Sequence, residues 1–260
     1  MPFAKRSLGQ NFLQDPNTAR RIVAALEIAT GDHVLEIGPG RGALTEWIIA
    51  AGPARFQALE KDRELARTLP DRWPSLEILA GDALEHRWES LDAPFYKIVG
   101  NLPYNIASPL IWDFVSRARN YGRAVFMVQY EVARRLTAEP GFGDYGALTA
   151  WVRNFAATSL LFKVGPAVFR PRPKVDSGVV LFSPLAKRPD PALAERLAKL
   201  LHGCFQKRRK QLANILKSQW EDGVGQWFAE QGLSGTLRPE NLSPRHFLGL
   251  AERFGDHFFA

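Results

Sequence analysis

Residues 33–42 read HVLEIGPGRG. An apolar run interrupted only by Glu36 ends in Gly38, Gly40 and Gly42, and residues 43–50 then follow a helical pattern. Glycine permits the sharp turn and lets a ligand approach the backbone, while the helix that follows offers unpaired amides. The stretch therefore reads as strand, tight turn and helix. Taken alone, it is compatible with a nucleotide site or with a plain tight turn.

Two further strand ends narrow the choice. Phe56–Leu59 reads as the next strand, and Glu60 closes it 22 residues past Gly38. A carboxylate there can accept both hydroxyls of a ribose. Leu76–Ala80 reads as a third strand and delivers Gly81-Asp82-Ala83. Asp82 is placed to accept from an adenine amino group, with the Ala83 backbone beside the ring. Three consecutive strand ends of this kind favour a nucleoside-containing cofactor across the carboxyl edge of a sheet. The spacing Gly-x-Gly-x-Gly differs from the Gly-x-Gly-x-x-Gly that a pyrophosphate favours, and Glu36 with the loop carbonyls offers a negative side. S-adenosylmethionine, which has no phosphate, suits this set, although the pattern alone does not single it out.

The alternation continues along the chain. Tyr96–Val99 and Ala124–Val128 read as strands, with helices over 43–50, 62–69, 107–118 and 131–138, so the fold class is α/β with a mostly parallel sheet. Ser159–Val164 and Val179–Phe182 suit an antiparallel addition at one edge. Asp15-Pro16 reads as a helix start, with Ile22, Val23 and Leu26 on one face. A break at Ser183-Pro184 continues through Arg188-Pro189-Asp190-Pro191. Beyond it Leu193, Leu197, Leu200, Leu201 and Cys204 recur at helical spacing, and Ser243-Pro244 opens a last helix. The expectation is a sheet domain over 1–185 and a small all-helical domain over 186–260.

Composition removes several function classes. With 260 residues, 46% hydrophobic and 23% charged, the chain can bury a sizeable core. It contains no run of about 18 apolar residues, so no membrane span is expected. The basic start lacks an apolar segment behind it, which argues against a cleaved secretory signal and for a cytoplasmic protein. Cys204 is the single cysteine, which excludes a disulfide framework and a multi-cysteine metal site; no metal is expected. The net charge is +7, and residues 186–260, with 12 Lys/Arg against 8 Asp/Glu, supply +4 of it. Lys207-Arg208-Arg209-Lys210 is the densest basic cluster, suited to phosphate or to an ordinary solvated helix face.

Residues 98–109, IVGNLPYNIASP, end the fourth strand at the same edge as the three cofactor-type ends. Methylation of an exocyclic amine needs the lone pair presented in line and its conjugation with the ring weakened. The Asn101 side-chain oxygen and a carbonyl of Leu102-Pro103 can accept the two N–H bonds, while Pro103 stiffens the loop. Tyr104 offers a face on which a flipped base can stack. Further on, Phe169 lies in a proline-rich loop with Arg170, Arg172 and Lys174; it could form a second wall, with the cations reaching phosphates. An aromatic packed beneath such a loop is the plainer reading.

These motifs in this order resemble the ribosomal RNA adenine dimethyltransferases of the KsgA/Dim type. The resemblance rests on Leu8-Gly-Gln-Asn-Phe-Leu13, Glu36-Ile-Gly-Pro-Gly-Arg-Gly42, Asn101-Leu-Pro-Tyr-Asn-Ile106 and Phe169-Arg-Pro-Arg-Pro-Lys-Val-Asp-Ser177. It extends to Arg208-Arg-Lys-Gln-Leu212 and Leu237-Arg-Pro-Glu-Asn-Leu242 in the tail, and so covers nearly the whole chain. It implies a Rossmann-like class I methyltransferase fold with a seven-stranded, mostly parallel sheet and a C-terminal helical domain. The implied activity is dimethylation at N6 of two adjacent adenosines in the 3′-terminal hairpin loop of 16S rRNA in the immature small subunit. The implied cofactor is S-adenosyl-L-methionine, and the protein is expected to act as a monomer.

Carried over by resemblance, Gln10, Asn11, Phe12, Leu13, Glu36, Gly38, Gly40, Glu60, Lys61, Asp82, Ala83 and Asn101 line the cofactor. Asn101, Leu102, Pro103 and Tyr104 form the target pocket, with Phe169 as its far wall. Arg170, Arg172, Lys174, Lys207, Arg208, Arg209 and Lys210 are the expected RNA contacts. Tyr130 departs from the lysine common in the family, and Gly146-Ala-Leu-Thr-Ala-Trp151 from a Gly-Arg-Leu-Ser-type stretch. The competing readings are a large-subunit (23S) rRNA adenine methyltransferase of the antibiotic-resistance type and a non-catalytic assembly factor on the same fold. Intact Asn101, Tyr104 and glycine loop speak against the latter. The absence of a targeting segment or long tail fits a compact bacterial enzyme.

Overall fold

The structure, a computed structural model, describes residues 5, 8–91, 95–255 and 258. Two compact units are present: Met1–Arg134 with Ala157–Pro184, and Arg135–Ala156 with Leu185–Ala260. The segment Arg135–Ala156, kept with the sheet in the sequence reading, thus clusters with the C-terminal helices.

The first unit is built on seven strands: β2 (His33–Ile37), β3 (Arg55–Glu60), β4 (Glu77–Ala80), β5 (Tyr96–Asn101), β6 (Tyr121–Gln129), β7 (Ala156–Val164) and β9 (Ser177–Pro184). Their spatial order is β4-β3-β2-β5-β6-β9-β7. β2 pairs in parallel with β3 and β5, β3 with β4, and β5 with β6, whereas β9 runs antiparallel to β6. The central strands are buried along nearly their full length, which is why they read as almost unbroken apolar runs rather than as alternating ones. Helices α1 (Pro16–Ala24), α2 (Thr45–Ala51), α3 (Arg63–Arg72), α4 (Ala107–Arg117) and α5 (Tyr130–Leu136) intervene.

Local chemistry sets the helix starts. The Asp15 carboxylate accepts the Thr18 amide at 2.7 Å and the rigid Pro16 opens the first turn of α1. Asp62 accepts the Glu64 amide at 3.1 Å and caps α3 in the same way. The chain leaves β2 toward β3 on one side and, after β4, returns to β5 on the other. That reversal of strand order opens a crevice beyond the carboxyl ends of β2 and β5, the place where open α/β sheets take ligands.

One pairing was not visible in the sequence. β1 (Phe12–Leu13) runs antiparallel to β8 (Phe169–Arg170), with Phe12 opposite Arg170 and Leu13 opposite Phe169. The Gln14 amide extends the contact to the Val168 carbonyl at 2.7 Å. The proline-rich loop is therefore anchored to the N-terminal segment.

The helical unit comprises α6 (Ala147–Val152), α7 (Pro191–Gln206), α8 (Leu212–Ile215), α9 (Lys217–Gln219), α10 (Gly225–Glu230) and α11 (Pro244–Phe254). Asp190 and Ser243 cap α7 and α11, each followed by proline. Leu197, Leu200, Leu201 and Cys204 are fully buried, as their spacing predicts, whereas Leu193 at the start of the row is only half-buried; Phe247 and Leu250 of α11 are fully buried as well. Burial pushes the Cys204 thiol up to about 12, so it is an inert packing group. No helix of the described residues is long and apolar enough to cross a membrane, and no cluster of three metal-ligating side chains occurs among them.

Candidate active site

A single cavity at the carboxyl edge of the sheet collects residues from four strand ends and from the N-terminal segment. Gly38 and Gly40 line it from the turn after β2, Glu60 and Lys61 from β3, Asp82 and Ala83 from β4, and Asn101 through Ile106 from β5. Gln10, Asn11, Phe12 and Leu13 close it from the N-terminal side. Every residue expected at the cofactor lies on this wall.

The backbone of the glycine turn is open to a ligand. Gly38 has φ +66° and nothing within 4 Å of the position a Cβ would take. Any other residue there would be strained and would fill that space. On the opposite wall Gly9, at φ +63°, leaves a Cβ position only 2.6 Å from the Asn105 side-chain oxygen. Asn105 thus packs against the N-terminal segment, a task the sequence did not reveal.

The carboxylates differ in charge state. Glu60 accepts the Gly40 amide at 3.1 Å on one oxygen and the Asp62 amide at 2.8 Å on the other. Burial nevertheless outweighs those donors and raises its pKa. Glu36 is 1% exposed; its Oε2 accepts the Thr45 hydroxyl at 2.6 Å, while Oε1 has no partner. Burial, with Glu60 nearby, pushes the Glu36 carboxyl up to about 8. Glu36 is therefore mostly proton-bound near neutral pH in the free protein, rather than the standing negative charge the sequence suggested. A cation entering the cavity would draw that proton off.

Asp82 behaves in the opposite way. Burial opposes its ionisation, but the Lys61 ammonium at 2.5 Å and the Leu84 amide at 3.0 Å prevail and hold its carboxyl below the usual range. Lys61 is thereby a partner of Asp82. Asp62, buried beneath the N-terminal segment, accepts Lys5 Nζ at 2.6 Å and Gln10 Nε2 at 3.2 Å. It ties the segment that closes the cavity to the end of β3. Neither Asp62 nor Lys5 was singled out in the sequence, since they stand 57 residues apart; only the helix-cap position of Asp62 was a signal.

The target loop is ordered on both sides. Asn101 Nδ2 donates to the Asn11 carbonyl at 3.0 Å, which turns Oδ1 away as a free acceptor. The Leu102 amide donates to the Met127 carbonyl at 3.0 Å and continues the β5–β6 pairing. The Pro103 carbonyl accepts the Ile106 and Ala107 amides, both at 3.1 Å, and so is taken up by the start of α4. Of the two backbone carbonyls considered, Leu102 is thus the one left for a ligand. The Tyr104 hydroxyl bonds the Ser177 hydroxyl at 2.6 Å, fixing the ring; burial raises its pKa. Ser177, the last residue of the Phe169–Ser177 motif, is thus what holds the Tyr104 ring.

Phe169 does not reach this cavity. It is 1% exposed, packed in the core with Phe12, Leu13, Val164 and Val179. Arg170, Arg172 and Lys174 lie exposed on its loop. At Tyr130, which takes the place of an expected lysine, Lys163 Nζ sits 4.9 Å from the ring centre and 2.7 Å from Asp176. A cation is present there even so. In the helical unit Lys207, Arg209 and Lys210 are exposed. Arg208 is instead engaged with Glu240 at 2.6 Å and the Gly143 carbonyl at 2.8 Å.

The family model described as ribosomal RNA adenine dimethylase matches residues 2–256. "Ribosomal RNA small subunit methyltransferase A" of Maridesulfovibrio salexigens is 50% identical over 256 residues, covering 98% of this chain and 97% of that protein. Its counterpart in Pseudomonas putida is 38% identical, covering 97% and 96%. Among solved structures, a dimethyladenosine transferase from Plasmodium falciparum superposes with a TM-score of 0.75 at 27% identity, covering 94% of this chain and 98% of that one. The 23S rRNA methyltransferase ErmE gives 0.72 at 28% identity, covering 94% and 99%. A match of this extent, over a cavity with this set of groups, has one meaning: the chain belongs to the ribosomal RNA adenine dimethylase family.

Proposed function

We infer that the protein dimethylates N6 of adjacent adenosines in small-subunit rRNA, with S-adenosyl-L-methionine as methyl donor. The observation that carries this reading is the convergence in one cavity of the ribose-type acceptor Glu60, the adenine-type acceptor Asp82 and the pre-oriented Asn101 oxygen. The residues fit the cofactor: Glu36 Oε1 is buried without a partner, and the Gly38 turn leaves room against its backbone. Glu60 would hold the ribose, Asp82 and Ala83 the adenine, and Gln10 to Leu13 would cover it. Bound S-adenosylmethionine supplies a methyl group already activated toward a neutral amine.

The chain's own residues then have to present the target. Tyr104, held by Ser177, offers its ring to an adenine taken out of its stack. Asn101 Oδ1 and the Leu102 carbonyl accept the two N6 hydrogens and turn the nitrogen lone pair toward the donor. A general base is not required at this step, because the product ammonium is acidic enough to lose its proton to water. In the second round one hydrogen remains for the two acceptors. Phe169 is packed in the core and does not line the cavity.

The finer assignments complete the reading: the 3′-terminal hairpin of 16S rRNA in an immature small subunit, a monomer, the cytoplasm, and exposed cations of both units on RNA phosphates. Incubation with labelled S-adenosylmethionine and separately purified, under-methylated small and large subunits tests it. Label in the small subunit is expected; label confined to the large subunit would favour the resistance-type reading that the ErmE likeness keeps in view.

A further inference from the structure

One member of the glycine turn takes no part in the cavity wall. Gly38 and Gly40 line the cavity, whereas Gly42 does not. Gly42 stands at φ +83°, and a Cβ there would fall 1.8 Å from Cη2, 2.3 Å from Cζ3 and 2.9 Å from Cζ2 of Trp73. No Cβ can occupy a place that close, so the far edge of the indole rests where a side chain at 42 would need to be. Trp73 follows the last residue of α3. Its amide donates to the Leu69 carbonyl and its carbonyl accepts the Leu76 amide, both at 3.0 Å, so its backbone is held from both sides.

Arg72 adds to the same contact. Its guanidinium lies 4.2 Å from the Trp73 ring centre, Nη1 donates to the Arg41 carbonyl at 3.4 Å, and Nη2 stands 3.9 Å from the Glu46 carboxylate. A turn with glycine at φ +66°, +57° and +83° has little side-chain bulk of its own to fix its shape, and glycine loses the most conformational freedom on ordering. Its hold must come from neighbours. The Gly40 amide on Glu60, at 3.1 Å, and the Gly42 amide on the Pro39 carbonyl, at 2.8 Å, give part of it. Phe12 meets the turn as well, its ring carbons 3.0 Å from the Cβ position of Gly40. Trp73, itself outside the cavity wall, sets a rigid surface against Gly42.

We propose that Trp73 is a positioning residue for the cofactor: seated on Gly42, its indole keeps the glycine turn in the shape that leaves the Gly38 backbone open to S-adenosylmethionine. It acts through the turn, since it does not line the cavity. The proposal rests on the cofactor reading above and extends it to a residue outside the site.

Trp73→Phe in the full-length protein tests it, because phenylalanine keeps an aromatic ring after α3 but lacks the atoms that reach Gly42. S-adenosylhomocysteine, which carries no reactive methyl, is the probe in calorimetry. Its affinity is expected to fall about tenfold, the loss that follows if the turn keeps its binding shape about a tenth of the time. In turnover on under-methylated small subunits, KM for S-adenosylmethionine should rise by a similar factor, with kcat within twofold of the parent. In the ligand-free variant, amide hydrogen exchange over residues 37–44 should quicken while amides of β6 and α7 keep their rates. Affinity for S-adenosylhomocysteine within twofold of the parent, a fall in kcat without a rise in KM, or exchange that quickens equally throughout the chain would each overturn the proposal. The cofactor reading fails separately, if the unaltered protein binds no S-adenosylhomocysteine while Trp73→Phe still loosens the turn.

Discussion

Glu36→Gln is expected to stabilise the ligand-free protein, and to do so increasingly as pH rises from 4.5 to about 8. In the unfolded chain this carboxyl ionises near 4.5, whereas in the fold burial holds its proton to about 8. Between those limits the folded state binds the extra proton, so raising pH removes stability. Retaining a proton over that span corresponds to on the order of 5 kcal/mol, at about 1.4 kcal/mol per pH unit. Glutamine has the shape of the protonated acid, cannot ionise, and keeps an oxygen for the Thr45 hydroxyl. Urea unfolding of both proteins at pH 5, 6, 7 and 8 measures the difference, and the 13C resonance of the Glu36 carboxyl reports its titration directly. A stability difference that is the same at pH 5 and pH 8, or a carboxyl that titrates near 4.5, would refute the reasoning.

Two other substitutions probe separate parts of the site. Glu60→Gln places an amide N–H against either the Gly40 or the Asp62 amide and removes a charged acceptor. Loss of about 1.5–3 kcal/mol should weaken S-adenosylmethionine binding about 10- to 100-fold by calorimetry, and unchanged affinity would remove Glu60 from the cofactor. Asn101→Ala should lower kcat by about 10²–10³ through loss of an oriented acceptor, with small-subunit binding within twofold in a sedimentation assay.

Much of the sheet was legible because buried parallel strands leave near-continuous apolar runs, and because glycine, glutamate, aspartate and asparagine stand where those runs stop. The same logic places Glu60, Asp82 and Asn101 on one edge of the sheet. Two-residue pairings leave no such trace. The β1–β8 ladder has no periodicity to read, so the loop around Phe169 looked like an exposed wall when its ring is core. A run of like charges also hides which member has a partner: Arg208 reads like its neighbours, yet Glu240 and the Gly143 carbonyl occupy it. Nor does a sequence register burial without a counter-charge, which turns Glu36 from an anion into an acid. Asp62 escaped notice for a related reason, as its partners Lys5 and Gln10 lie more than 50 residues away in the chain.

The central claim is that the cavity bounded by Asn101 and Tyr104 places two methyl groups on N6 of each of two adjacent adenosines in small-subunit rRNA. Primer extension across the 3′-terminal hairpin, after incubation of under-methylated small subunits with protein and S-adenosylmethionine, tests it most directly. The account predicts strong stops at two neighbouring adenosines with the unaltered protein and their near-complete loss with Asn101→Ala. Stops elsewhere, none at all with the unaltered protein, or full stops with Asn101→Ala would contradict it.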